Sequence, residues 1–297
     1  MRLTGIALSA TLLLNFSGTA AAFDAYATNL AGELWVFDTA NPAGATLVGD
    51  ITGLAGEGKT TERVLGIDFR PATGQMYALG STGRIYTLDT MTAQATLVGD
   101  GLTPLALDGS FFGFDFNPVA DRIRITSNTR QNLRAHPATG NLVATDSLLS
   151  LTDEELPLVV GSAYTNNFAG AMSTTLYDID ARNRALLIQS PPNDGVLTLV
   201  GGVNGLGVTF SQDVGFDIIT DGGVDNAFAI FNVFPPNRGI STIAGLYTID
   251  LVTGAATFFE GLPANGGVFS SLAIIPAPGA ALFVGLSVLG FGLRRRR

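Results

Sequence analysis

The chain has 297 residues, 46% of them hydrophobic, enough to bury the core of one large all-β domain or of two average domains. It contains no cysteine and a single histidine, which excludes a disulfide framework, thiolate nucleophiles and multi-histidine zinc sites. All 25 acidic residues lie between the two ends, against 11 basic ones once Arg2 and four terminal arginines are set aside from the 16, so the body carries about −14 and lacks the positive face that nucleic acid requires.

Residues 1–22, MRLTGIALSATLLLNFSGTAAA, join an early arginine to an apolar run that ends with Ala20 and Ala22 in the A-x-A spacing read by signal peptidase. They predict an N-terminal signal helix that is removed on export, with the mature body starting at Phe23.

From Phe23 to Ile275 the sequence repeats itself. VLGIDFRPATGQMYAL at Val64 to Leu79 and FFGFDFNPVADRIRI at Phe111 to Ile125 share glycine, an apolar residue, aspartate, phenylalanine, one residue and proline. A second phrase, ATLVGD, occurs at Ala45 to Asp50 and again at Ala95 to Asp100. A third, strand then Asp-type turn then strand, begins at Glu33, Arg84, Asn132 and Gly245, with alternating apolar residues and turns such as Thr253-Gly254 that mark hairpins. The glycine position of the first phrase falls at Gly66, Gly113, Gly161, Gly215 and, degenerately, Ser271. Units of about 40–50 residues with four short strands each are the signature of a β-propeller blade. A sandwich would not explain the period.

The count gives five blades, with six as the alternative if one unit is degenerate. The first unit lacks its opening strand, and Ser270 to Ile275 supplies one at the far end. Pairing of the N- and C-terminal strands therefore closes the ring and leaves no open edge between first and last blades.

Within this repeat the chemistry is sparse. GLAGEGKT at Gly53 to Thr60 fits the phosphate-loop pattern, but only four residues separate it from the strand at Leu65, leaving no room for the helix whose amides would hold a phosphate. It reads as an inter-blade loop. His136 stands where Asp38, Asp89 and Asp250 stand in sister units and reads as a turn residue. The candidate metal ligands are Asp217, Asp221 and Asp225, set around the turn of DIITDGGVDN, whose hard oxygens suit Ca²⁺; no other cofactor is expected. Asp68, Asp115 and Asp217 share one place in three inner strands, where they either line the channel as a carboxylate ring or cap the turn at the strand end.

The last 22 residues, PAPGAALFVGLSVLGFGLRRRR, run from Pro276 through an apolar stretch to four arginines. The fifteen residues from Gly279 to Leu293 would form a helix of about 22 Å, short of the ~30 Å hydrocarbon core unless the flanks help. The positive-inside rule puts Arg294, Arg295, Arg296 and Arg297 in the cytoplasm and the body outside. This tail resembles the PEP-CTERM type of sorting signal, with Pro276-Ala277-Pro278 in place of the glutamate-containing motif. The resemblance implies an exosortase as processing partner and retention in the membrane through the tail.

The blade phrase itself, carried by Gly66, Asp68, Phe69 and Pro71 and by Gly113, Asp115, Phe116 and Pro118, resembles a family of secreted bacterial β-propellers of unknown function, akin to WD-repeat and quinoprotein-like folds. That resemblance covers Phe23 to about Pro276 and implies no activity. The sequence thus divides into a signal peptide at 1–22, a propeller at 23–275 and a sorting tail at 276–297. It points to a non-enzymatic propeller at the outer cell surface, or released from it, that binds a surface or matrix ligand. The alternative is an extracellular Ca²⁺-dependent hydrolase or lactonase-like enzyme using channel carboxylates, which requires Asp68, Asp115 and Asp217 to converge around an open coordination position.

Overall fold

A computed structural model describes residues 22–56, 62–100, 104–151, 156–234 and 243–276. Both terminal segments other than Ala22 and Pro276 lie outside it, as does the second half of the Gly53 to Thr60 phrase. So do Ala20, Ala277, Pro278 and the four terminal arginines. The described body is all-β, and among these residues no helix is long and apolar enough to cross a membrane.

Five antiparallel sheets make five blades. The closing blade runs β1 (Asp24–Asn29), β2 (Glu33–Asp38) and β3 (Asn41–Asp50). The second blade holds β4 (Val64–Arg70), β5 (Gln75–Gly80), β6 (Ile85–Leu88) and β7 (Ala95–Leu97). The third holds β8 (Phe112–Asn117), β9 (Arg122–Ser127), β10 (Asn132–Ala135) and β11 (Leu142–Thr145). The fourth holds β13 (Val159–Tyr164), β14 (Leu176–Asp180), β15 (Ala185–Gln189) and β16 (Val196–Val200), with the short β12 (Ser150–Leu151) parallel to β16 at its rim. The fifth holds β17 (Val214–Asp221), β18 (Val224–Val233), β19 (Ile243–Ile249) and β20 (Ala256–Gly261). The closing blade takes its inner strand from the far end: β21 (Phe269–Ile274) pairs antiparallel with β1, Ala27 opposite Leu272. Closure by the two chain ends is therefore as expected, with five blades.

Burial grades outward along each blade. The inner strands β4, β8, β13, β17 and β21 are buried on both faces, whereas β11 and β20 are mostly exposed. The inner strands touch in a closed circuit, β4 to β8 to β13 to β17 to β21 and back to β4. The recurrent glycine follows from that approach. A Cβ on Gly66 would sit 2.6 Å from the Phe114 Cβ of the next blade, and one on Gly215 would sit 2.7 Å from the Ser271 carbonyl carbon. Neither glycine has a positive φ, so close approach and not backbone freedom selects them.

Polar ties supplement this packing. Arg124, 2% exposed on β9, donates to Asp146 Oδ2 at 2.6 Å, to Asn132 Oδ1 at 2.7 Å and, at 2.8 Å, to Asn193 Oδ1 from the next blade. The turn reading of His136 matches what its sisters do: its Nδ1 accepts from the Ala138 N–H, as Asp89 Oδ1 accepts from Met91 and Asp250 Oδ1 from Val252.

Gly66→Ala is expected to push the second and third blades apart and cost about 1–3 kcal/mol, the overpacking range. Gly74→Ala, with φ +69° and open space around it, should cost only about 1 kcal/mol of backbone strain. Thermal melting of the two variants checks the ranking; equal losses would show that the glycines are not set by blade contact.

A candidate site in the central channel

Two residues beyond each recurrent glycine, the five inner strands place Asp68, Asp115, Ala163, Asp217 and Ala273 at one level of the channel. The three aspartates converge: each presents a carboxylate oxygen within 4.8 Å of the others, and they are 1%, 2% and 1% exposed. The residues that follow, Phe69, Phe116, Tyr164, Ile218 and Ile274, offer five backbone N–H groups to this level. Asp68 accepts from its own neighbour Phe69 and from Phe116 of the next blade, both at 2.7 Å. Asp115 accepts from Tyr164 of the next blade at 3.0 Å. Asp217 accepts from Ile218 and from Ile274 of the closing blade, both at 2.6 Å.

The arrangement has a rule. Each aspartate reaches the amide one blade ahead. Where the preceding blade carries alanine, at Ala163 and Ala273, the local aspartate turns its other oxygen to its own strand. Three carboxylates thereby satisfy five amides, and Asp115 Oδ2 is the sixth oxygen. Both sequence alternatives hold in part: the side chains form a ring, and they also bind backbone.

Burial sets the electrostatics. It pushes Asp68 and Asp115 well above the ordinary carboxylate range, the neighbouring aspartates adding to the shift, and amide bonds oppose it. Asp217 is pushed up to about 7, burial outweighing its two amide bonds. Asp178, whose charge also acts on Asp115, is pushed up to about 7 by burial against the Ser162 hydroxyl and the Arg124 charge. Burial thus favours the protonated form of all three ring carboxyls.

Of the candidate calcium ligands, only Asp217 belongs to this cluster. Asp221 lies four residues along β17, about 13 Å away at strand rise, and is exposed. Asp225 pairs in register with Thr220 and so faces the opposite side of the sheet from Asp217, where its Oδ1 accepts from Thr220 and from the Asn166 N–H. One ion cannot be held by Asp217, Asp221 and Asp225 together, because strand alternation and length separate them.

Above the ring the channel narrows at the glycine level to a void of about 10 Å³, at the lower limit for a single water. Beyond that constriction it opens into a mouth cavity of about 520 Å³ where the inner strands begin. Leu65, Phe112, Val160 and Val214 form its apolar floor, and Arg63 and Asp213 stand at its wall. Burial raises the Asp213 carboxyl and the Arg63 charge draws it back down. The repeat gave no sign of these two residues, because they precede the conserved phrase in a slot that the blade leaves free; a charge next to an apolar inner strand was the only available signal.

Comparison with known proteins adds family and fold. The family described as domain of unknown function (DUF4394) matches residues 33–273. No curated protein matches the chain. A structural genomics protein of unknown function from Bacteroides thetaiotaomicron is similar at 13% identity and a TM-score of 0.45, over 87% of this chain and 68% of that one. A GH43 glycoside hydrolase engineered for endo-xylanase and exo-arabinofuranosidase activity is similar at 11% identity and a TM-score of 0.50, over 86% of this chain and 52% of that one. The Dos1 propeller is similar at 12% identity and a TM-score of 0.41, over 82% and 62%. At these identities the likeness is one of fold.

The ring yields a discriminating prediction. Raised carboxyl values mean that the ring's contribution to stability is complete below the unfolded value near 4 and is lost as pH rises through the raised values, about 7 for Asp217. Asp115→Asn keeps an oxygen for Tyr164 and removes a buried charge, so it is expected to melt about 2–4 °C above the parent at pH 8, with the gain vanishing toward pH 4. Asp68→Asn and Asp217→Asn each set an NH₂ against a backbone N–H and should lose about 1–3 kcal/mol. Melting curves of the three variants across pH test this, and equal losses in all three would refute the count of oxygens against amides.

Proposed function

This chain belongs to the DUF4394 family, a domain of unknown function, and from that premise we propose that it is a non-enzymatic binding propeller, exported and held at the outer cell surface or released there, which receives a small ligand in its channel mouth. The observation that carries the reading is the commitment of the ring. Five of its six carboxylate oxygens accept backbone amides, three of them from the next blade, and the channel above it is narrow. What remains open is the mouth cavity, of a size that suits small-molecule sites.

Export rests on the apolar first 22 residues ending in Ala20 and Ala22, and surface retention on the proline-led apolar tail with its terminal arginines, where signal peptidase and an exosortase would act. The absence of cysteine places the whole stability of an exported domain on burial and hydrogen bonds.

The convergence of Asp68, Asp115 and Asp217 is the one observation that favours the hydrolase alternative. A catalytic Ca²⁺ would need six to eight oxygens and a position open to substrate. The three carboxylates could offer an ion only the lone pairs left by their amide bonds, behind a constriction of about 10 Å³.

Thermal melting of the full chain tests both readings. Calcium and a chelator are expected to leave the transition unmoved, whereas a chelator-sensitive melt would favour the hydrolase. In a panel of sugars, amino acids, short peptides and nucleosides, one class at a hundredfold its Kd should add about 2.7 kcal/mol. Ser110→Trp, which fills the mouth from an exposed position, should abolish that gain. A panel with no stabilising member would sink the binding reading.

A further inference from the structure

We propose that the mouth cavity takes a short zwitterion with an apolar body, of the size of a dipeptide, its carboxylate held by Arg63, its ammonium by Asp213 and its side chains on the floor of Leu65, Phe112, Val160 and Val214. This rests on the reading of the cavity as a ligand site and names the ligand's chemistry.

The two charges face the same space without meeting. The ion pairs among the described residues are Arg70 with Asp121 and Asp146 with Arg124 and Arg134, so Arg63 and Asp213 are not in contact. Asp213 nevertheless feels Arg63, whose charge lowers the carboxyl that burial has raised. A half-buried carboxylate and an exposed guanidinium with no ion pair among the described residues, set across a cavity, are complementary to a molecule carrying both charges.

The other acids at the cavity are otherwise engaged. Glu62, 4% exposed, accepts from the Thr82 N–H at 2.8 Å and from the Thr82 and Tyr86 hydroxyls at 2.5 Å each. Asp50 is exposed at the end of β3 and keeps its water. Asp213 is thus the acid whose desolvation a ligand ammonium would offset. The floor adds the selectivity for an apolar body, because Phe112, Val160 and Val214 are 6%, 1% and 3% exposed and form a packed surface. A volume of about 520 Å³ exceeds what a single small amino acid fills and matches two apolar residues.

Isothermal titration of the full chain with leucyl-leucine, its N-acetyl form and its C-terminal amide tests the assignment, with glucose as a neutral probe. The zwitterion should bind at least about tenfold more tightly than either capped form, the scale of one charged hydrogen bond. Asp213→Asn should erase its advantage over the N-acetyl form alone, and Arg63→Gln its advantage over the amide alone, with melting curves confirming that both variants fold. Equal binding of all three peptides, or tighter binding of the amide, would overturn the zwitterion. So would glucose binding that Ser110→Trp blocks in the absence of peptide binding, although the cavity reading would survive. If neither these probes nor the wider panel binds, both readings fall.

Discussion

Every closed ring of sheets faces the same difficulty at its centre: the inner edge of each sheet carries amides that have no next strand. In this chain the problem reaches five N–H groups at one buried level of the channel. Left alone, each would cost about 1–3 kcal/mol. Three aspartates meet the demand by taking two, one and two amides, and three of those five bonds cross from one blade to the next. The ring is consequently held at its axis by carboxyl acceptors as well as at its faces by apolar packing. The cost is electrostatic, for three carboxylates that cannot all be ionised in comfort share one small space.

The same constraint organises the layers above. Glycine at the level over the carboxylates lets the inner strands approach until Phe114 fills the space beside Gly66. That approach narrows the channel. The constriction separates the level of the carboxylates from an accessible mouth, where the blades begin and their sequences diverge. The mouth is free to vary because nothing in the blade architecture depends on which side chains line it.

Much of this was legible in the sequence, and the reasons differ by layer. The period, the glycine positions through the degenerate Ser271, and the origin of the closing strand all follow from repetition, since a blade buries its faces only against similar blades. His136 was readable as a turn residue for the same cause. The ring was half legible: Asp68, Asp115 and Asp217 stand at one repeat position, but the partners they choose depend on blade-to-blade register, which no single unit encodes. Asp221 and Asp225 were misleading because proximity along the chain counts for little in a strand, where each residue adds about 3.3 Å and every second side chain changes face. Arg63 and Asp213 were illegible, since only the fold brings them to the wall of one cavity. The short parallel strand β12 at the rim of the fourth blade also had no signal in its two residues.

Ala163 and Ala273 set a limit on how regular such a protein can be. A sequence made of five identical copies of its best blade would place five aspartates at the axis, ten oxygens for five amides, and would crowd five acids where three already hold on to their protons. Five copies of the alanine blade would leave all five amides without an acceptor. Neither perfect repeat closes well, so the optimum at this position is a mixed one. A consensus taken across the blades would erase it, and an idealised version of this propeller has to be assembled from at least two kinds of blade.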